Sequence, residues 1–420
     1  MDHFAYKHGQ LHAENVAIAD IAAQVGTPFY CYSSATLARH AQVFTQAFGK
    51  LKPLICFAVK ACSNIAVLKL LGQCGLGADV VSGGELRRAL VAGIAPEKIV
   101  FSGVGKTADE MRFALEVGIH QFNVESDREL IQLNEVARAL NMRAPIALRV
   151  NPDVDAETHA KISTGKKENK FGIDIDIAPA IYALANSLPH IYVRGVSVHI
   201  GSQLTTLDPF RAAYMRVKKL VSDLHDSGIM LRSIDLGGGL GVPYAEGDAP
   251  PLPLEYGALV QELFGDDNVE LIVEPGRLIA GNAGILVSKV LYVKRAAGTY
   301  VIVDAGMNDL MRPALYDAVH DMMLVKETTA APATVAVVGP VCESSDVFVK
   351  DASMPLPAEG DLLVFRTAGA YGASMSNSYN SRPIIPEVLV QGSEFAVIRK
   401  RPSYEEMLAA EEIPSWLASS

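Results

Sequence analysis

Basic residues are the scarcer charge in this sequence: 37 lysines and arginines stand against 47 aspartates and glutamates, a formal net charge of −10. A chain with that balance is a poor partner for nucleic acid or for an anionic membrane, both of which bind through clustered cations. It leaves room for a local basic pocket, because net charge says nothing about pockets. Long apolar runs are missing as well. No window approaches the roughly 20 residues that a bilayer-spanning helix needs. The stretch from Met1 to Gln24 has no basic start followed by an apolar run, so it does not read as a secretory signal, and the cytoplasm is the expected location. Cysteine is sparse: Cys31, Cys56, Cys62, Cys74 and Cys342 are five in number and scattered, which argues against a disulfide framework. No CxxC pair or cysteine–histidine cluster has zinc spacing, so no metal site is expected. Cys31, Cys56 and Cys74 sit in apolar surroundings and read as core thiols.

What is present is a long chain, 420 residues of which 50% are hydrophobic and 20% charged. That length predicts two or three domains with large buried cores. From about residue 54 to 275 the sequence keeps a regular beat: a short apolar run, a polar or glycine-rich turn, then an amphipathic stretch. The runs are LICFAVK at 54, ADVVS at 78, KIVFSG at 98, QFNVES at 121, PIALRVN at 145, GVSVHIGS at 195, SIDLGGG at 233 and LIVEPGR at 271. Between them, stretches such as NIAVLKLLGQC and TADEMRFALEVG repeat apolar residues at helical spacing, with Gly72, Gly93 and Gly118 as candidate C-caps. Eight strand-then-helix units predict an α/β fold, a parallel (β/α)8 TIM-like barrel, with a doubly wound open sheet as the alternative. After about residue 285, runs such as GILVSKVLYVKRA, YVIVDAG, ATVAVVGP, DLLVFRTAGAY and EFAVIRKR predict a mostly antiparallel β domain. TPFYCYS at 27 reads as a strand of that sheet. The expected division is therefore 1–37 contributing a strand to the β domain, 38–284 the barrel, and 285–420 the β-sheet domain.

In such barrels reactive groups gather at the C-terminal ends of the strands. The first run ends in Lys60. A lysine there is either a rim residue in water or an amine in a dry pocket, where desolvation makes it competent to attack a carbonyl. The sixth run ends in His199, which alone could be structural. The seventh ends in Gly237-Gly238-Gly239-Leu240-Gly241, a run that allows close backbone approach and points N–H groups at an anion such as phosphate, though a tight turn also uses glycine. The eighth ends in Glu274-Pro275-Gly276-Arg277. An amine, an imidazole, an anion nest and a carboxylate around one barrel mouth suit a cofactor with an aldehyde, a phosphate and a pyridine nitrogen that needs an acid partner.

FAVKA at 57–61, GADVVSGGE at 77–85, HIGSQ at 199–203, GGGLG at 237–241 and EPGR at 274–277 resemble the alanine-racemase-like barrel decarboxylases that use pyridoxal phosphate. RVNPDVDAETHAKISTGKKENKFGI at 149–173, DAGMNDLMRPALYDA at 304–318, GPVCESSD at 339–346 and AGAYGASMSNSYNSRP at 368–383 are similar to the diaminopimelate decarboxylases within that group. The likeness runs in order along essentially the whole chain. One position departs: Cys62 stands where the family has asparagine.

The resemblance implies pyridoxal 5′-phosphate as cofactor, carried by Lys60 as a Schiff base, with His199 stacked on its ring and Glu274 facing its nitrogen. It implies that Gly238, Gly239, Gly276 and Arg277 surround the phosphate and that Tyr371 reaches both phosphate and substrate. Arg277, Arg312, Tyr316 and Glu343 would hold a small diamino acid, and Cys342 would protonate the decarboxylated carbon from the neighbouring subunit of a homodimer with shared active sites. Taken without the motif, Arg312 could be a loop arginine, Tyr316 and Tyr371 half-buried tyrosines, Cys342 a core thiol, and the acid at Asp346 a turn cap. The implied reaction converts meso-2,6-diaminopimelate to L-lysine and carbon dioxide, the last step of lysine biosynthesis. Its far end carries a carboxylate for arginines and an amine for Glu343. An ornithine or arginine decarboxylase of the same fold is the near alternative and a racemase the next. A catalytically dead relative would have lost Lys60 or Cys342, and both are present.

Overall fold

Parallel strands cannot be joined by tight hairpins, so each apolar run here is followed by a helix that carries the chain back across the outside. The computed structural model describes residues 2–155, 170–245 and 247–417. Its strands β1 (Leu54–Ala58), β2 (Gly77–Val80), β3 (Ile99–Phe101), β4 (Gln121–Val124), β5 (Ala144–Asn151), β6 (Ile191–Val198), β7 (Ser233–Asp235) and β8 (Glu270–Val273) pair in parallel. β8 returns to β1, with Ile272 opposite Leu54 and Val273 opposite Ile55, so the sheet closes into the expected barrel rather than the open alternative. This barrel unit is Ser34–Asn282.

Its helices begin where short polar side chains can catch orphan amides. Asn64 accepts from Ala66, Ser82 from Glu85, Thr107 from Glu110 in a reciprocal capping box, and Ser126 from Glu129. Gly118 ends the helix Ala108–Val117 in the left-handed conformation, and Gly93 follows Gly83–Val91 with a φ of 83°. The expectation for Gly72 is corrected. It lies inside the helix Ile65–Gln73, where a Cβ would stand 3.2 Å from Ile94, and the left-handed residue that stops this helix is Gly75. Cys74 is corrected with it: as the C-cap of that helix it is exposed, whereas Cys31, Cys56 and Cys62 are buried. Outside the barrel wall Phe44, Phe48, Phe210, Tyr214 and Tyr256 interlock, and the two tyrosine hydroxyls meet at 2.7 Å, so neither polar tip is stranded by burial.

The second unit is Met1–Ser33 with Ala283–Ser420. Its main sheet runs in the order Val347–Pro355, Pro332–Val338, Thr299–Val303, Gly284–Arg295, Phe29–Ser33, Glu387–Gln391 and Glu394–Arg399. Phe29–Ser33 lies antiparallel to Gly284–Arg295 and parallel to Glu387–Gln391. Leu11, Ile18, Ile21, Phe29, Ile285, Val287, Val364, Val388 and Val390 form its core. Strands Met322–Leu324, Val347–Pro355 and Glu387–Gln391 and the N-terminal sheet beginning at Phe4–Lys7 are not expected from the sequence. Among the described residues no helix is long and apolar enough to cross a membrane.

Candidate active site

Lys60 follows β1 directly, in a single 3-10 turn, Val59–Ala61, that lifts its side chain off the strand end. Its Nζ donates to Asp79 Oδ2 at 2.5 Å, with the lysine side chain 34% exposed and the aspartate wholly buried on β2. The amine is therefore neither a free rim residue nor one isolated in a dry pocket: it is paired with a buried acid. The other oxygen, Asp79 Oδ1, is buried without a hydrogen-bond partner, so the site has acceptor capacity to spare.

Below this pair the barrel interior is polar. Asn123 Nδ2, on β4, donates to Asp235 Oδ2 at 2.8 Å and to Glu274 Oε1 at 3.1 Å, and Ser102 Oγ lies 3.4 Å from the same glutamate oxygen. Burial, and then the neighbouring charges of Asp235 and Asp79, push the Glu274 carboxyl well above the usual range, and burial raises Asp235 as well. Two buried acids this close oppose one another's ionisation, which favours a proton held on the pair, even though the Lys60 charge works the other way on Glu274. Such a carboxyl is matched to a basic ring nitrogen.

His199, at the end of β6, accepts the Gly238 N–H at Nδ1, 3.2 Å away. Burial, then the charges of Arg149 and Lys60, hold its pKa well below the usual imidazole value, so the ring is neutral and flat-faced. The glycine run divides its labour. The Gly237 N–H goes to Asp235 and that of Gly238 to His199, and among the described residues no protein acceptor takes the Gly239 N–H. Added Cβ atoms at Gly237, Gly238 and Gly239 would come within 2.3, 2.2 and 2.4 Å of the backbone oxygens of Val198, Glu274 and Gly201. Close packing of strand ends thus requires these glycines whether or not an anion binds. Gly276 precedes the turn Arg277–Ala280, and the buried Arg277 guanidinium donates to Tyr244 Oη at 2.5 Å and Ser202 Oγ at 3.0 Å.

The remaining predicted residues belong to the other unit. Arg312 opens the helix Arg312–Tyr316 and is buried, with Tyr316 one turn on and half-buried. Cys342 and Glu343 are exposed, the cysteine N–H donating to Asn380 Oδ1 at 3.0 Å and Glu343 Oε2 accepting from Tyr379 at 3.2 Å. Their loop is anchored by Asp346, which accepts from Met307 N at 2.7 Å and Val341 N at 2.6 Å. Tyr371 sits in left-handed backbone, φ 55°, in the turn of the GAYG motif. Part of the 149–173 motif, residues 156–169, lies outside the described residues.

Sequence reasoning alone misses Asp79, Asn123 and Asp235. Each lies within one of the eight apolar runs, and the available signal is a lone polar residue inside a barrel strand.

A family model described as pyridoxal-dependent decarboxylase, pyridoxal binding domain, matches residues 34–281. The diaminopimelate decarboxylase of Pseudomonas aeruginosa is 50% identical over 414 residues, covering 98% of this chain and 99% of that protein. The chain belongs to the diaminopimelate decarboxylase family. The crystal structure of the family member from M. jannaschii in complex with L-lysine matches with a TM-score of 0.94 at 37% identity, over 99% of both chains. The Helicobacter pylori member, also complexed with L-lysine, matches with a TM-score of 0.90 at 42% identity, over 93% of this chain and 98% of that one. Pyridoxal phosphate is the cofactor of this family, and the residues around Lys60 fit it: an amine for the aldehyde, a neutral imidazole face, a proton-bearing acid and an uncommitted glycine amide.

Proposed function

We propose that this chain uses pyridoxal phosphate to remove the carboxylate from one end of meso-2,6-diaminopimelate, releasing L-lysine and carbon dioxide. The observation that carries the reading is Lys60 at the mouth of a closed barrel, 2.5 Å from a buried aspartate, in a chain 50% identical throughout to a diaminopimelate decarboxylase. An ornithine or arginine decarboxylase is not favoured: the family's substrate has a second carboxylate, and the chain carries the buried Arg312 in the matching motif.

Bound pyridoxal phosphate supplies the electron sink that takes up the electron pair left on Cα as carbon dioxide departs. Lys60 would hold its aldehyde and Glu274 would keep a proton on its ring nitrogen. His199 would cover one ring face, and Gly239, Gly276, Arg277 and Tyr371 would surround the phosphate. Arg277, Arg312, Tyr316, Tyr371 and Glu343 would bind the substrate, with arginine on the far carboxylate and Glu343 on the far amine. Cys342 would deliver the proton to Cα. A homodimer in which Cys342 and Glu343 complete the neighbouring barrel is supported by their exposure in the single chain, in contrast with the buried Arg312 of the same unit. The cytoplasm is the expected setting.

The test is direct. Protein soaked with pyridoxal phosphate, reduced with borohydride and digested should carry the label on Lys60, and a panel of amino acids should give carbon dioxide fastest from diaminopimelate. A label on another lysine, or preference for ornithine or arginine, refutes the corresponding half of the reading.

A further inference from the structure

Arg312 does not point freely into the protein. Its Nη1 lies 3.0 Å from His320 Nε2, and His320 Nδ1 lies 2.9 Å from the backbone oxygen of Arg366. Both side chains are buried, at 6% and 5% exposure. A carbonyl oxygen only accepts, so Nδ1 must carry the imidazole proton. A guanidinium only donates, so Nε2 must offer its lone pair. One tautomer satisfies both contacts, the neutral ring protonated at Nδ1. The carbonyl at the end of this chain is itself fixed. Arg366 follows the strand Leu362–Phe365, whose Phe365 pairs with Met322, and the Arg366 N–H donates to the Asp321 oxygen at 2.8 Å.

We propose that His320 is a positioning residue that aims the Arg312 guanidinium at the carboxylate on the far end of the substrate. The proposal rests on the assignment of Arg312 to that carboxylate. A guanidinium on a flexible stem loses rotamer freedom when it engages a ligand, and one N–H anchored beforehand reduces that loss while fixing the plane of the fork. His320 acts through Arg312 and touches no reacting atom, so its removal weakens binding of the far end without slowing the bond cleavage in proportion.

Product chemistry supplies a clean probe. Decarboxylation removes the near carboxylate, so lysine keeps the far carboxylate and amine, whereas cadaverine, 1,5-diaminopentane, has both amines and no carboxylate. His320→Asn retains a donor near Nδ1 and loses the acceptor at Nε2; His320→Gln can place an amide oxygen where Nε2 stands. The experiment measures kcat and KM for diaminopimelate and inhibition constants for lysine and cadaverine in the loaded enzyme, with thermal melting as the folding check. His320→Asn should raise KM and the lysine constant about tenfold, change kcat less than about threefold and leave cadaverine unmoved. His320→Gln should recover most of the loss. Equal behaviour of the two variants, or equal weakening of lysine and cadaverine, makes His320 a packing residue and overturns the proposal. If His320→Asn does not fold, His320→Ser removes the same acceptor and is judged by the same lysine-to-cadaverine ratio. Arg312→Ala separates the two layers. If it erases the preference for lysine over cadaverine while the histidine variants do not, only the His320 role fails; if it leaves that preference intact, the assignment of Arg312 fails as well.

Discussion

The two units finish their polar groups in opposite ways. In the barrel, Asn123 ties the buried Asp235 and Glu274 into one hydrogen-bonded set, and the buried Asp79 pairs with Lys60. In the β unit, the anchors Arg312 and Asp346 are buried, whereas Cys342 and Glu343 are exposed. A buried, proton-sharing set is costly unless a ligand completes it, which is how a cofactor site is built. The exposed Cys342 and Glu343 ride on a loop anchored by the buried Asp346, with Tyr379 donating to Glu343.

That contrast can be broken outright. Lys60→Ala and Cys342→Ala should each cut kcat by on the order of a hundredfold or more. If Cys342 serves a neighbouring barrel, mixing the two inactive proteins under conditions of proven subunit exchange should restore activity approaching about a quarter of wild type, because roughly half of randomly paired dimers are mixed and each holds one intact site. Activity that stays at the sum of the parents would place both residues in one subunit's site and remove the reason for the exposed loop.

A smaller effect sharpens the assignment of the buried arginine. Arg312→Ala should lower kcat/KM for diaminopimelate about tenfold to a hundredfold, the worth of one sheltered charge-assisted contact or somewhat more. The slow turnover of lysine or ornithine, which present no far carboxylate when they enter as substrates, should fall much less. Equal losses on both kinds of substrate would mean that Arg312 supports the fold or the reacting end. Cofactor affinity is the control and should hold.

Much of the barrel and its mouth is legible in the amino-acid sequence. Closure follows from counting strand-then-helix units, and Lys60, His199, the glycine run and Glu274 stand out because they end those strands. What stays hidden has a common physical cause. Asp79, Asn123 and Asp235 acquire their meaning from partners on other strands, and sequence order does not reveal which strand faces which across a barrel. His320 is hidden in the same way, since its significance is a tautomer fixed by a carbonyl 46 residues away. Gly72 misleads because a glycine near a helix end resembles a cap, although its lack of a side chain is used there for packing against Ile94. The strand Val347–Pro355 escapes notice because its middle carries the exposed, charged pair Lys350-Asp351 on an edge of the sheet.

The smallest expected effect probes the barrel's shared proton. Glu274 and Asp235 both titrate above the ordinary carboxyl range, chiefly through burial. A group with a raised carboxyl pKa makes the folded state bind more protons than the unfolded one. Stability therefore falls as pH rises from the unfolded carboxyl pKa through the folded one. Asp235→Asn keeps the shape and a hydrogen-bonding group while removing one of the two acids. In cofactor-stripped protein the variant should lose less stability than wild type between pH 5 and pH 8, a relative gain on the order of 1 kcal/mol at the higher pH. With pyridoxal phosphate bound, the ring nitrogen supplies a positive partner for Glu274, and the gap between variant and wild type should narrow. Melting temperatures of both forms at both pH values decide it. A variant destabilised equally at pH 5 and pH 8 would show that Asp235 is an ordinary hydrogen-bonded strand residue. The barrel interior would then be polar for packing reasons, and its contrast with the exposed loop of the β unit would lose its functional meaning.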